Sequence, residues 1–321
     1  MTGQYTSENH GAHGQVSVSL PGNSQTIDAK VIATTQELAD EFPFNPDMGG
    51  GDVLGIGWVQ SSIGGGVRSS SSTSYLRNAL SRPNLHVLIH ATVMKLWPSG
   101  FRNRKISFGL VQFASSAHGE HIVLLQGRLV DSQSVVKPSF VYATKEIILS
   151  AGAVGTPQIL LLSGIGPYEE LTAMNIPTIF NNPSVGRNLT DHVLVPNIYY
   201  VRGSDSFDNL LRDPVVFTDA LKQWTTFKTG VLANGVTNHL GYFRLPGNSS
   251  IFSTDSDPSS GPTASHWELI VSVSSHLMHR SVLTLISYIL PPELLDMAQC
   301  RRAIQGKLYN FPIQSHFANV T

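Results

Sequence analysis

The spacing of apolar and polar positions changes several times along the chain, and each change predicts an element. Val16, Val18 and Leu20 alternate with polar neighbours over residues 14–20, which predicts a strand. From Ala29 to Glu41 the apolar positions fall at helical spacing, which predicts a helix with Val31, Ile32 and Leu38 inward. Phe42 to Gly66 is glycine-rich without a sustained period and reads as one long loop, a class of segment that tends to be functional. Leu85–His90, Ala91–Leu96 and Gly109–Ala114 read as successive strands, with a turn at residues 115–119. Further on, the pattern predicts a strand over Val193–Val201, a helix over Pro214–Phe227 and a strand over Leu240–Leu245. Leu294–Leu308 has the pattern of an amphipathic helix, and no internal repeat is visible.

The densest signal is KEIILSAGAVGTPQILLLSGIG, Lys145 to Gly166. Ile147, Ile148 and Leu149 form an apolar run suited to a buried parallel strand. Gly152 and Gly155 allow a sharp turn and a close approach. Thr156 followed by Pro157 is a helix-start pattern: a hydroxyl to accept an orphan N–H, then proline at the first helical position. Ile159 to Leu162 supply the apolar face, and Gly164 can close the helix in a left-handed cap. A helix start at the end of a buried strand suits an anionic cofactor. Such junctions occur throughout α/β proteins, so geometry alone leaves a purely structural role open.

Composition narrows the field. The 321 residues suffice for one large domain or two ordinary ones, each with a sizeable core. With a net charge of −1 and no basic block, nothing points to nucleic acid or an acidic membrane, and neither is expected as a partner. Cys300 is the only cysteine, so an intramolecular disulfide and a cysteine-based metal site are excluded. His118 and His121 flank a turn without ligand spacing, and no metal site is expected. No apolar stretch approaches the roughly 18 residues of a membrane span. Met1–His10 lacks the apolar core of a signal peptide. Of three glycosylation sequons, Asn248 in the turn-like 246–250 is the expected acceptor. A serine hydrolase is disfavoured because no Gly-x-Ser-x-Gly elbow occurs, and a nicotinamide enzyme because its glycine fingerprint does not.

The literal sequence goes further than its pattern. SAGAVGTPQILLLSGIG closely resembles the second signature of the glucose–methanol–choline (GMC) oxidoreductases, flavoenzymes that oxidise alcohols. PFNPDMGGGDVLGIGW (43–58), RSSSSTSYLRNALSRPNLHVLIHATVMKL (68–96) and NNPSVGRNLTDH (181–192) resemble segments of the same family in the same order. The first of these, with Asn238-His239-Leu240 and GPTASHWE (261–268), resembles the aryl-alcohol oxidase branch. Similarity spans residues 11–278; the tail 279–321 resembles nothing in the family.

The resemblance implies an α/β and α+β fold: part of a Rossmann-like FAD-binding domain and part of an antiparallel-sheet substrate domain. It implies a substrate-domain and loop piece at 1–74, FAD domain at 75–190 and substrate domain at 191–278. The serine run 69–74 then leads into a helix over Tyr75–Leu80 instead of forming a linker. FAD is the implied cofactor, a small-molecule alcohol the substrate, and oxygen or a quinone the acceptor. Position by position, Val93 matches a strand residue whose backbone reads the adenine. Ala151 and Gly152 match the strand end beside the adenosine, and Thr156 and Pro157 the helix start nearby; Arg68 and Ser69 are further candidates near the flavin. Members of this branch are typically secreted.

Two departures matter. The Gly-x-Gly-x-x-Gly turn that meets the flavin pyrophosphate is missing: Gly55-Ile56-Gly57 runs into Trp58-Val59-Gln60, and Gly64-Gly65-Gly66 lacks a strand–helix setting. The His-Pro-x-Gly-Thr context of the catalytic base is missing too, so no catalytic residue is assigned, and His192 is read as structural. The chain is therefore expected to be a truncated product with a tail read in a foreign frame. A catalytically incompetent remnant or binding module is the alternative reading. An unpaired sheet edge and an exposed apolar face are expected to lower solubility and weaken FAD retention.

Overall fold

A computed structural model describes residues 5–102, 105–115, 123–125, 128–130, 137–200, 207–272 and 282–289. In chain order the helices are α1 (Thr26–Glu37), α2 (Arg77–Ala79), α3 (Gly152–Leu162), α4 (Tyr168–Ala173), α5 (Phe207–Arg212) and α6 (Pro214–Phe227). The strands begin with β1 (Gly55–Trp58), β2 (Ile63–Gly64), β3 (Val67–Arg68), β4 (Ala91–Arg102) and β5 (Lys105–Ser115). They continue with β6 (Val123–Leu125), β7 (Arg128–Val130), β8 (Ser139–Tyr142), β9 (Ile165–Gly166) and β10 (Phe180–Asn181). The last four are β11 (Val193–Tyr200), β12 (His239–Phe243), β13 (Trp267–Ser272) and β14 (Val282–Ile289). Mixed helices and antiparallel sheets give the α/β and α+β character that the sequence implies. Among the described residues the chain divides into two compact units, one built from residues before 86 and from 192–289, the other from 86–191.

The first unit is organised by an antiparallel sheet of order β1-β12-β13-β14-β11. Alternation sorts its side chains into two faces. Ile56, His239, Phe243 and Val271 are buried on one face. There the Phe243 ring meets Phe42 edge-on at 5.4 Å and Trp267 at 4.5 Å. The opposite face carries Leu240 and Tyr242, paired in register with Gly57 and Gly55. Those two glycines are there for close approach: a Cβ on either would strike a backbone carbonyl of the Pro43–Asn45 segment, which is bridged in parallel beside β1 through Phe44 and Ile56. What reads as a long loop from 42 to 66 therefore contains β1, an edge strand of the sheet, and β2.

Other expectations shift. Residues 14–20 make a single bridge, Ser19 to Ser61, with Val16 and Val18 exposed. Helix α1 starts three residues before the predicted position, at a capping box in which Asp28 accepts the Gln25 N–H (2.8 Å). Its buried positions are Asp28 and Thr35, while Leu38 is exposed. The segment 71–79 is helical, a π-type turn over Ser72–Leu76 running into α2.

In the second unit β4, β5 and β8 form an antiparallel sheet, and α3 packs on β4. Ser163, fully buried after the last turn of α3, pins the two together. Its hydroxyl accepts the Leu96 N–H (2.8 Å) and donates to the Ile159 carbonyl (2.5 Å). Gly164 then takes φ +76°, the predicted left-handed cap, where a Cβ would collide with the Pro177 carbonyl. Residues 85–90 are not a strand, and Ile147–Leu149 is not paired within any sheet of the described residues. The reason is shared. Apolar strands of this kind are stable only between neighbours on both sides, and Ile148 is instead 75% exposed. The turn at 116–119, the helix expected at 294–308 and Cys300 lie outside the described residues.

Candidate functional site

The site that the sequence singles out is built on the junction from Ala151 into α3. Its helix begins at Gly152, five residues before the expected first position at Pro157, so Thr156 is not the cap and Pro157 lies inside the helix. The hydroxyl of Thr156 still accepts an orphan donor, the N–H of Ala151 (3.1 Å), folding the junction back on itself. Pro157 removes one i→i−4 bond within the helix. Ala151, at the N-cap, makes no side-chain cap bond. Gly152 has φ +83° with open space where a Cβ would stand.

Val93 lies on β4 beside an irregularity: it pairs with Phe113, the next paired residue is Lys95 opposite Gln112, and Met94 is bulged out. Ala151, Gly152, Thr156 and Pro157 are thus one continuous feature, and Val93 belongs to the strand on which the same helix packs. Arg68 closes the short β2–β3 hairpin of the first unit, and Ser69 hydrogen-bonds Ser17 N–H (2.9 Å) and the Ser74 hydroxyl (3.2 Å). His192 stands exposed just before β11.

Exposed apolar side chains stand at the junction and on its neighbouring strand: Ile148, Val154 (68% exposed) and Val93. An open glycine at positive φ, an uncapped helix start and apolar flanks fit the adenosine side of a dinucleotide: backbone N–H groups for the polar edge, aliphatic carbons for the ring.

Sequence reasoning missed three polar clusters in the first unit. Asp28 bridges α1 and β12: it accepts from Asn238 Nδ2 (3.0 Å) and contacts His239 Nε2 (3.1 Å). Burial by itself would raise this carboxyl, but bonds from His239, Gln25 and Asn238 hold it below its usual range. Asp47 is the hub of a second cluster. It accepts from Thr6 N (2.8 Å), Gly49 N (3.2 Å), Gln60 Nε2 (3.0 Å) and the His10 ring (2.9 Å). Burial again opposes ionisation and is outweighed by Thr6, His10 and Gln60, which hold Asp47 well below the carboxylate range. In the third, Asp257 accepts from Ser259 and pairs with Arg244 and His266 Nε2 (2.9 Å). Its carboxyl is depressed chiefly by the Ser259 bonds, then by His266 and Arg244. The available signals were the Gln-x-x-Asp capping box at 25–28 and the polar residues inside the two branch-like segments.

The second and third clusters flank a cleft of about 470 Å³ on the Leu240–Tyr242 face of the sheet. Met48, Gly49 and Gln60 line one side, Ala264 and Ser265 another. Among the described residues no group of three or more His, Cys, Asp or Glu is placed to hold a metal, and no helix is long and apolar enough to cross a membrane.

Comparison with known proteins bears on this arrangement. The sequence model of the GMC oxidoreductases matches residues 10–194. A pyranose dehydrogenase of Agaricus campestris is 36% identical over 270 residues, covering 83% of this chain and 40% of that protein. An FAD-dependent oxidoreductase from Chaetomium thermophilum has a TM-score of 0.66 at 21% identity, covering 88% of this chain and 50% of that one. A fungal aryl-alcohol oxidase structure has a TM-score of 0.63 at 19% identity, covering 88% and 50%. These two show a common fold. The chain spans about two-fifths of the length of the curated relatives it matches.

Proposed function

Since the chain belongs to the GMC oxidoreductase family, whose members are FAD-dependent oxidoreductases, we propose that it is the adenosine-binding and substrate-roofing portion of an enzyme oxidising CH–OH groups. The observation that carries this reading is the junction at 151–157, an open, glycine-permitted helix start inside the family's signature. FAD, when bound, supplies the hydride acceptor for alcohol oxidation. The chain's own contribution is positional. The Gly152 turn exposes backbone N–H groups at the start of α3, and the hydroxyl of Thr156 holds that turn in shape. Val93, Ile148 and Val154 offer aliphatic surface to the adenine. The substrate is a small alcohol, of the aryl class by resemblance, with oxygen or a quinone as acceptor.

A flavin-fluorescence titration tests this directly. Saturable, weak FAD binding that ADP displaces supports the reading. Gly152→Val should weaken it about tenfold or more, because a β-branched residue is strained at φ +83° and covers the N–H groups. A second reading, a binding module without turnover, is favoured by the two motifs this sequence does not contain, the pyrophosphate turn and the catalytic-base context. No FAD binding, with the chain folded, selects that second reading.

A further inference from the structure

We propose that Asn234-Gly235 is a self-modification site: an asparagine that the fold keeps from cyclising, and whose conversion frees the start of α1. It is the only Asn-Gly pair in the chain. A glycine after asparagine has no Cβ to shield its backbone nitrogen, which can then attack the side-chain amide carbon. The Gly235 nitrogen forms a bond to Cγ, the Cγ–Nδ2 bond breaks and ammonia leaves, closing a succinimide ring. Water opens that ring at either carbonyl, giving aspartate or isoaspartate. Water is the sole co-reactant, and nothing is oxidised or reduced. Gly235 is exposed, so water reaches the ring.

In the folded chain both ends of the Asn234 amide are engaged. Its Oδ1 accepts the Gly22 N–H (2.8 Å) and the Asn23 N–H (3.1 Å). Its Nδ2 donates to the Asn23 carbonyl (2.7 Å) and to Asn238 Oδ1 (3.2 Å). Two donors on one side and two oxygens on the other fix the orientation of the amide. Turning it onto the Gly235 nitrogen breaks these bonds, so cyclisation follows the population in which the clamp is open. The product cannot restore the clamp. A carboxylate only accepts, and at position 234 it would set oxygen against the Asn23 carbonyl and Asn238 Oδ1. Isoaspartate would lengthen the main chain by a methylene as well. Asn238 itself donates to the Asn23 carbonyl and to Asp28 (3.0 Å each), so the loss passes directly to the capping box of α1.

The test uses the full chain in mildly alkaline buffer, with and without guanidinium, and needs no flavin. Peptide mass spectrometry follows the amide-to-acid conversion of each asparagine. Unfolded, Asn234 should convert before any other asparagine; folded, it should convert at least about tenfold more slowly. Gly235→Ala should slow the unfolded-state conversion about tenfold, by shielding the nitrogen. That Cβ would stand at an ordinary 3.9 Å from the Thr237 carbonyl, so the variant fits the fold. Asn238→Ala, which removes one partner of the clamp, should raise the folded-state rate about threefold or more. Chain converted at 234 and refolded should exchange its α1 amides about tenfold faster than unconverted chain. Thermal melts check that the variants fold, and the comparison of folded with unfolded unmutated chain stands without them. Equal rates in the folded and unfolded chain overturn the proposal. So does another asparagine converting ahead of Asn234, or α1 exchange that conversion leaves unchanged.

Discussion

Asp47 illustrates how a single residue acquires its role from distant partners. Its carboxylate gathers donors from Thr6, His10, Gly49 and Gln60, so the N-terminal segment and the 43–60 region are tied at one point. Asp47→Asn places an NH₂ group among donors and should lower stability by about 1–3 kcal/mol, read from chemical denaturation. The sign of the pH effect follows from the depressed pKa. The stabilisation is complete above the ordinary aspartate value, about 3.9, and is lost as pH falls toward the lower folded value. Asp28, also depressed, acts in the same direction. Acid melts should therefore steepen below about pH 4, and less so in Asp47→Asn. Neither aspartate is recognisable as buried from its neighbours in sequence. Asp28 meets Asn238 across 210 positions of chain, and only folding brings them together.

Elements differ in how far their own residues specify them. Helix α6 has the bounds that periodicity predicts, because every instruction is local: Pro214 at the first position, Asp213 accepting Val215 N–H (2.8 Å), and a left-handed Lys228 at its end. Asp213→Ala should cost about 1 kcal/mol by thermal melt, the ordinary worth of such a cap. The end of α3 at Gly164 is legible for the same reason. Its start is not. The Thr156-Pro157 pair has the form of a cap, yet the glycine turn before it prolongs the helix by five residues. Strand β1 is hidden in a glycine-rich stretch because Gly55 and Gly57 admit the close carbonyls of the neighbouring 43–45 segment, a packing need that looks like a turn signal. A helix over 75–80 followed from resemblance, where the serine run 69–74 alone suggested a linker; the helical stretch in fact takes in part of that run, from Ser72.

At the scale of the whole molecule, the second unit exposes a run of large apolar side chains: Leu88 (62%), Ile89 (68%), Ile148 and Val154. Surface of that kind promotes self-association. Ile148→Lys with Val154→Lys should shift the chain toward monomer in sedimentation velocity, with little change in melting temperature, because neither side chain is buried here. The sequence by itself determined the family, the mixed fold class, the flavin chemistry to be sought, and those helices and strands whose caps and periods are local. Tertiary structure alone decided which strands of the first unit are neighbours, that aspartates lie at the buried junctions, and where the cleft stands. The physical reason is range. Caps, turns and periodicity act over a few residues, whereas burial and hydrogen-bond satisfaction depend on partners that the folded chain brings from far away.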